Sequence, residues 1–373
     1  MYDVAVLRTN SATHDIRVAK ETCSQAKAGL KVLIIAWDRE TGTGFDEYRN
    51  GVTIKRLRLK APIGTPSLVL YFPIFWAWAS IQILISKPLA IHACDFDTMP
   101  IGLFIKIVKR KTKLVYDCFE YYQGMVGAFL TFPFFNMISI LDRVFMEIAD
   151  FIIIPCEERR TFYPVAKNIL VLPNAPKMMT VNVGKRNGKF TLFYGGMLEL
   201  DRGLFPLIKT VNQFDDIQLV IAGTGTLAND VKKLSDRVKN ITYMGMLPYD
   251  VLLHAMANAD VAFAFYESTN PNNLTSASNK VFEAMMLGIP VITNEECASS
   301  RIILKHECGL VVPYGDISAL SVAISRLKNN VQFRKKLGEN GRIAFSKWYA
   351  WAIVEPDFIR RYLHLIKTHQ QGT

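Results

Sequence analysis

The sequence lacks the cysteine and histidine spacing that metal centres and redox motifs require. Its six cysteines are scattered without a Cys-x-x-Cys pair, and its six histidines have no metal-ligand spacing. We therefore expect reduced thiols, no metal site and no metal requirement. A signal-peptide pattern is also missing at the start, where the short apolar run from Tyr2 to Leu7 ends at Arg8. These absences predict a cytoplasmic protein.

Basic tracts interleaved with aromatic residues are missing too, so nucleic acid is not an expected partner. Positive charge is nevertheless in excess, with 44 Lys and Arg against 33 Asp and Glu and a formal net charge of +11. Such an excess favours anionic partners, such as phosphates or an acidic membrane surface. Because half of the residues are apolar, we expect a folded chain.

Charge is absent from two long apolar stretches, residues 68–86 and 124–141. Both approach the length of a membrane span, but proline and polar residues interrupt each of them. Three interpretations follow: a true span, an interfacial or acceptor-lining surface, and a buried core helix.

The remainder of the 373-residue chain alternates short apolar strands with helical segments, which is typical of parallel sheets covered on both faces. Residues 173–189 interrupt the alternation with Pro, Asn, Gly and Lys. We predict a first domain over residues 1–172, a linker at 173–189 and a second domain over 190–351. An amphipathic helix at 352–373 is expected to pack back on the first domain. Ligands of such folds bind outside the carboxyl ends of the strands, which predicts a site between the domains.

The most informative segment runs from Ser278 to Thr293. It predicts a helix that begins after Ser278, ends at Gly288 and passes through Pro290 into a strand. Asn279 lies in the first turn, where free N–H groups and the helix dipole favour an anion such as phosphate. Glu283 follows one turn later and could reach the sugar of a nucleotide. An ordinary helix with surface charges is the alternative.

Two glycine motifs follow strands of the second domain. Gly195 and Gly196 end a strand and let a ligand approach the backbone, and Arg202 follows as a candidate bidentate cation for a diphosphate. Gly223 and Gly225 form a single Gly-x-Gly, for which a tight turn is the favoured interpretation over a phosphate loop.

Two strand ends of the first domain carry polar residues. Asp15 is a natural N-cap for the first helix, and Arg17 could pair with a phosphate or with a carboxylate. Asp117 and Glu120 follow a later strand and could orient hydroxyls or act as bases, with helix capping as the alternative for Asp117. The loop expected to face the cleft contains three further residues, Ser11, Thr13 and His14.

Taken in order, these motifs resemble the nucleotide-sugar-dependent glycosyltransferases of family 4 over nearly the whole chain. The most specific match runs from Asn279-Lys280-Val281-Phe282-Glu283 through Gly288-Ile289-Pro290-Val291. The other matching segments, in chain order, are Asp15–Val18, Ile91–Thr98, Val115–Tyr121, Ala149–Pro155, Val171–Ala175, Gly195-Gly196, Arg202-Gly203, Gly223–Gly225, Tyr243–Gly245 and Ala259–Val261.

The resemblance implies an α/β protein with the GT-B fold, in which two doubly wound Rossmann-like domains face a central cleft. It implies that Glu283 accepts the ribose hydroxyls of a nucleotide-sugar donor. Arg202 and Lys280 would neutralise the donor diphosphate, together with the N–H groups of Gly196 and of the helix that starts at Asn279. The nucleotide sugar is then a co-substrate, and no other cofactor is implied.

The implied function is a retaining glycosyltransferase. With the apolar stretches and the basic charge, we expect a glycan or lipid-linked acceptor at the cytoplasmic face of a membrane. Two positions depart from the family pattern: Thr275 replaces the first residue of a Glu-x7-Glu pair, and Phe119 replaces a histidine. They motivate one alternative, a non-catalytic GT-B-like binding subunit. A second alternative is a nucleotide-sugar epimerase.

Overall fold

The structure is a computed structural model that describes residues 2–13, 15–62, 65–126, 132–164, 166, 168–181, 188–275 and 277–371. Its internal contacts divide the chain into two compact units. Unit 1 comprises Met1–Leu172 with Glu355–Thr373, and unit 2 comprises Pro173–Val354. The segment expected to be a linker thus lies at the start of unit 2, and its residues 182–187 are outside the described part.

Unit 1 is built on one sheet with the strand order β3-β4-β2-β1-β5-β6-β7-β8. Only β3 runs antiparallel to its neighbour. The strands are β1 Val4–Arg8, β2 Val32–Asp38, β3 Asp46–Arg49, β4 Val52–Arg58, β5 Ala90–Cys94, β6 Lys113–Asp117, β7 Phe151–Ile154 and β8 Ile169–Val171. The helices are α1 Ile16–Lys27, α2 Phe72–Ser86, α3 Met99–Val108, α4 Tyr122–Val126 and α5 Phe132–Ile148. Since β2 and β5 flank β1, the strand order reverses between β1 and β5.

Unit 2 has a fully parallel sheet with the order β11-β10-β9-β12-β13-β14, which reverses between β9 and β12. Its strands are β9 Phe190–Gly195, β10 Ile217–Ala222, β11 Ile241–Tyr243, β12 Val261–Ala264, β13 Val291–Asn294 and β14 Gly309–Val312. Its helices are α6 Leu204–Val211, α7 Ala228–Ser235, α8 Tyr249–Ala257, α9 Pro271–Leu274, α10 Asn279–Leu287, α11 Ala298–His306, α12 Ile317–Asn329 and α13 Val331–Ala344. The last helix, α14, spans Trp351–Gln371 and passes from unit 2 into unit 1.

The predicted alternation of strands and helices is present, because most strands are apolar runs bounded by turn residues. Three strands lack this pattern. Asp46–Arg49 is a polar, antiparallel edge strand without an apolar pattern, and Ile169–Val171 has only three residues. Gly309–Val312 begins with a glycine, where an added Cβ would lie 2.0 Å from the carbonyl oxygen of Val291. The glycine therefore permits close strand pairing, which sequence alone reads as a turn.

The start of α1 and both ends of α10 lie where the capping residues in the sequence predicted them. Asp15 caps α1 through its carboxylate, which accepts a hydrogen bond of 3.1 Å from the Val18 N–H. Helix α10 begins directly after Ser278 and ends at Gly288, whose φ of +72° is the left-handed stop that was expected. One detail differs: the Ser278 hydroxyl bonds the Tyr266 hydroxyl at 2.5 Å and does not cap the helix.

The apolar stretch around α2 is only partly a core element. Residues Pro66–Ser86 form one helical segment that is long and apolar enough to cross a membrane, by length and composition, and 22% of its apolar window is buried. Phe75 and Ile83 pack into the core, whereas Ile81 and Ile85 are more than half exposed. The second stretch is described only in α4 and α5, since residues 127–131 lie outside the described part.

Candidate active site

The loops that follow the strands of unit 2 meet where its strand order reverses. Gly195-Gly196 ends β9, Gly223–Gly225 follows β10, and Tyr266 follows β12. In open parallel sheets this reversal leaves a crevice at the carboxyl ends of the strands, where ligands bind. The helix α10 begins nearby, because Lys280 at its start contacts Tyr194 of β9.

The glycines allow these loops to touch. A Cβ added to Gly223, whose φ is +139°, would lie 1.8 Å from the carbonyl oxygen of Gly196. This crowding supports the tight-turn interpretation of the Gly-x-Gly motif. A Cβ on Gly196 would lie 2.7 Å from Cε of Lys280. The lysine side chain can therefore lie against the backbone here only because residue 196 is a glycine. The Gly196 N–H donates to the carbonyl of Ala222 at 2.9 Å, which corrects the expectation that it would bind a diphosphate.

Lys280 and Arg202 form the positive centre of this site. The Lys280 ammonium lies 4.3 Å from the ring centroid of Tyr194 and 5.4 Å from that of Tyr266. The Arg202 guanidinium lies 4.7 Å from the same Tyr266 ring. Two cations thus share one aromatic ring, which attracts positive charge through its quadrupole. Burial, and then the charge of Arg202, lower the pKa of Lys280 to about 7.

Glu283 lies one turn further along α10 and is 7% exposed. Its carboxylate accepts a hydrogen bond from the Tyr249 hydroxyl, and burial raises the pKa of Glu283. Asn279, in contrast, is exposed at the helix start. The structure therefore brings Gly196, Arg202, Lys280 and Glu283 of the predicted donor set to one edge of the sheet.

Sequence reasoning missed the two tyrosines. Tyr194 is the residue before the Gly-Gly turn, and Tyr266 follows the end of β12. Their positions at strand ends could have indicated a role in the site. An aromatic residue at such a position is, however, equally typical of a core side chain. Thr275, which departs from the family pattern, is buried and its hydroxyl lies 3.4 Å from the carbonyl of Pro271.

In unit 1, the structure joins Arg17 to Asp117. The Arg17 guanidinium lies 2.7 Å from the Asp117 carboxylate and 3.0 Å from that of Glu21. Asp117 is fully buried and Arg17 is 4% exposed. The ion-pair alternative for Arg17 is therefore the one that the structure supports. Asp117 neither caps a helix nor reaches solvent, which argues against the catalytic role predicted for it.

Two more groups complete this buried network. His92 contacts Asp117 through Nε2 at 3.2 Å, and its Nδ1 bonds the hydroxyl of Tyr362 from α14 at 2.7 Å. Ligand atoms of Glu21, His92 and Asp117 lie within 4.8 Å of one another, a grouping that could hold a metal. Arg17 already neutralises both carboxylates, so this set does not fit a metal ion.

The other predicted residues of unit 1 lie nearer the surface. Glu120 is exposed, and its N–H donates to Asp95 at 3.1 Å. The Ser11 carbonyl accepts from Arg56 at 2.8 Å, and the Thr13 hydroxyl lies 3.5 Å from that same carbonyl. The prediction for His14 lies outside the described residues.

Phe119, one of the two positions that depart from the pattern of the resembled family, packs between two arginines. The guanidinium carbons of Arg8 and Arg17 lie 4.6 and 4.5 Å from its ring centroid. Asp95 accepts the Phe119 N–H at 2.9 Å and pairs with Arg8 at 2.6 Å. Burial raises the pKa of Asp95 to about 7 against the effect of Arg8. Asp95 lies in the segment Ile91–Thr98 that the resemblance singled out, but it was not among the predicted site residues.

Both the sequence and the fold of this chain have matches among known proteins. Residues 180–344 match the family model of the group 1 glycosyl transferases. The match lies within unit 2 and covers most of it. The chain has the GT-B fold. Sucrose-phosphate synthase from Thermosynechococcus elongatus superimposes with a TM-score of 0.83 at 16% identity, covering 98% of this chain and all of that one. Anabaena HepE, solved with UDP and glucose, gives 0.73 at 13% identity over 97% of this chain and 99% of that one.

Among curated proteins, this chain is similar to a phosphatidyl-myo-inositol mannosyltransferase of Mycobacterium leprae, with 30% identity over 204 residues. That match covers 53% of this chain and 52% of the relative. It is also 25% identical to the capsular polysaccharide glycosyltransferase CapM of Staphylococcus aureus over 164 residues, 42% of this chain and 41% of CapM. The chain thus spans about half the length of the curated relatives it matches.

Proposed function

We propose that this protein transfers a sugar from a nucleoside diphosphate donor to a glycan or lipid-linked acceptor, with retention of anomeric configuration. The observation that carries the proposal is the pairing of Lys280 and Arg202 around one tyrosine ring at the strand-order reversal of unit 2. Two partly buried cations side by side repel each other, and the Asp201 carboxylate pairs with only one of them, Arg202, at 3.5 Å. An anion that binds between or beside the two cations would relieve this repulsion. A diphosphate is an anion that fits.

The chemistry of transfer gives these groups their roles. When the bond between the sugar and the diphosphate breaks, negative charge develops on the leaving phosphate oxygens. Fixed cations at Arg202 and Lys280, with the positive end of the α10 dipole, stabilise that charge. Because these groups belong to the chain itself, we propose that no metal ion is needed. Glu283, held by Tyr249, is proposed to bind the ribose hydroxyls of the donor.

For the acceptor, the names of relatives and the surface of unit 1 support a lipid. One relative is named a GDP-mannose-dependent monoacylated phosphatidylinositol monomannoside mannosyltransferase, from Corynebacterium glutamicum, 28% identical over 160 residues. Exposed apolar side chains lie on the helices α2, α3 and α5 of unit 1, where α3 contacts both α2 and α5. They are Ile74, Ile81, Ile85, Phe104, Ile107, Val108, Phe134, Met137 and Ile140.

A basic segment adjoins this apolar surface. Arg110 and Lys111 are exposed just after α3, and Lys106 and Lys113 pair with Asp150 at 2.7 and 3.5 Å. Apolar side chains beside exposed cations suit the interface of an anionic bilayer. We therefore propose a peripheral location on the cytoplasmic face of a membrane.

Replacing Glu283 with alanine tests the donor site. The change is expected to weaken nucleoside diphosphate binding about tenfold or more, because the ribose hydroxyls lose a charged partner. The measurement incubates purified protein with a panel of UDP- and GDP-sugars and membrane lipid, and follows nucleotide release. Asp250→Ala, an acidic residue of α8 in the same unit, is the control that should keep wild-type release.

Other outcomes would point elsewhere. No release with any donor, unaffected by the substitution, would contradict the proposal. Nucleotide binding without turnover would favour the non-catalytic binding subunit. Phe119 and Thr275, which depart from the family pattern, are the reason for considering that alternative. A free epimerised sugar in the absence of acceptor would indicate the epimerase.

Flotation with vesicles tests the membrane surface. At low salt the protein is expected to float with vesicles of phosphatidylglycerol and phosphatidylcholine, and the bound fraction should fall as salt screens the basic segment. Replacing Ile81 and Ile85 together with asparagine should lower the partition coefficient about tenfold or more, since two apolar side chains no longer enter the interface. Val322→Asn, an exposed apolar position in unit 2, is the matched control. Protein that stays at the bottom at low salt would contradict this location.

A further inference from the structure

Asn273 is a buried amide whose three hydrogen bonds all go to the loops around Arg202. It lies in the short helix α9 and is 2% exposed. Its Oδ1 accepts from the Arg202 guanidinium at 2.7 Å, and its Nδ2 donates to the Asp201 carboxylate and to the Glu267 carbonyl, both at 3.0 Å. Side-chain oxygen and nitrogen are thus both used, which fixes the orientation of the amide.

These bonds join two loops that are far apart in sequence. The loop after β9 carries Asp201 and Arg202, and the loop after β12 carries Glu267. The backbone also links them, because the Glu267 N–H donates to the Asp201 carbonyl at 2.9 Å. Asn273 follows Glu267 in the same stretch after β12, and its amide oxygen contacts the Arg202 guanidinium directly.

The bond to Asn273 constrains where the charge of Arg202 can lie. With one guanidinium nitrogen held by the amide and the guanidinium carbon over the Tyr266 ring, the side chain cannot rotate freely. The Asp201 carboxylate already lies 3.5 Å from the Arg202 guanidinium. The uncharged Asn273 adds no further negative charge, whereas a second carboxylate in its place would cancel more of the positive charge of Arg202. Charge that is fixed before binding stabilises an anion without a reorganisation cost.

We propose that Asn273 is a positioning residue that orients Arg202 toward the diphosphate of the donor. The inference rests on the proposed donor site and adds a residue that neither the spacing analysis nor the family resemblance singled out. Asn273 acts through Arg202 and does not itself need to touch the ligand.

The test is a double-substitution cycle on nucleotide binding. UDP and GDP are titrated calorimetrically into wild-type protein and into the Asn273→Ala, Arg202→Ala and doubly substituted proteins, using the diphosphate that the wild type prefers. Asn273→Ala is expected to weaken diphosphate binding about tenfold. In the Arg202→Ala background the same change should have little further effect, because the two residues act as one unit.

The nucleoside without phosphates separates positioning from a general loop defect. Its affinity should be nearly unchanged in Asn273→Ala, since only the phosphate part is lost. Thr269→Ala, an exposed residue of the same loop, is the control. If Asn273→Ala does not fold, Asn273→Ser leaves a hydroxyl in the loop that is too short to reach Arg202, and the same loss is expected.

Three results would overturn the inference: wild-type diphosphate affinity in both Asn273 variants, additive effects of the two substitutions, or an equal loss of nucleoside affinity. A wild-type protein that binds neither UDP nor GDP would overturn the proposed function itself, and with it this role. The two failures are therefore distinguishable.

Discussion

Replacing Lys280 with methionine is expected to lower the rate of sugar transfer by about two to three orders of magnitude. Methionine fills a similar volume between the rings of Tyr194 and Tyr266 but has no charge to place against the leaving diphosphate. Turnover with the preferred donor, measured under saturating acceptor, reports the loss. Lys232→Met, an exposed lysine of α7, is the matched control and should keep wild-type turnover.

The same substitution is expected to stabilise the protein at neutral pH. Burial holds the pKa of Lys280 near 7, well below its usual value, so the folded state disfavours the charged ammonium. Removing that cost, less the lost attraction to the aromatic rings, should raise the free energy of unfolding by about 1–2 kcal/mol at pH 6. A loss of activity accompanied by a gain of stability would mark a residue retained for function.

The pH dependence follows from the direction of this pKa. Between about pH 7 and 10 the unfolded chain keeps a proton on Lys280 that the folded protein has largely released. The contribution of this group to stability therefore rises with pH over that window. The stability gain of Lys280→Met over wild type should be largest at pH 6 and should shrink toward pH 10. A gain that is constant with pH, or turnover close to wild type, would contradict the role assigned to Lys280.

Replacing Arg17 with methionine is the second large effect, and we expect it to cost about 3–5 kcal/mol of stability. The change leaves the carboxylates of Asp117 and Glu21 in the core of unit 1 without their cation. Burial and the neighbouring Asp117 already raise the pKa of Glu21 well above its usual value, so a second uncompensated charge cannot be accommodated there. Urea denaturation followed by circular dichroism measures the loss.

Two comparisons sharpen this second prediction. Lys27→Met, at the exposed end of the same helix, should change stability by less than about 0.5 kcal/mol. Adding Glu21→Gln to Arg17→Met should restore part of the loss, because one of the two carboxylates is then neutral. Wild-type stability with impaired use of the acceptor would instead support the phosphate-binding interpretation of Arg17.

Helix α10 and the strands around it illustrate how far local patterns reach. The left-handed Gly288, the proline after it and the apolar strand that follows are properties of adjacent residues, and each is where it was predicted. The alternation of strands and helices likewise follows from short-range periodicity. The prediction that Arg202, Lys280 and Glu283 belong to one site depended on the order of motifs along the whole chain. The structure brings the three residues to one edge of the sheet.

The buried polar pairs of unit 1 join residues that lie far apart in sequence. Arg17 and Asp117 are 100 positions apart, and nothing near either one shows that they form a buried pair. The same is true of His92 with Tyr362, which are 270 positions apart. A charged residue at a strand end has the same local pattern whether it faces a ligand or another charge.

By itself, the sequence determined two α/β domains of parallel sheets and the ends of α10, because these depend on neighbours within a few positions. Only the tertiary structure decided which charges are available. It buried Arg17 and Asp117 against each other, left Lys280 and Arg202 around one ring, and placed Asn273 behind Arg202. The physical reason is that exposure and pairing depend on strand order and loop contact, which bring together segments that no local pattern relates.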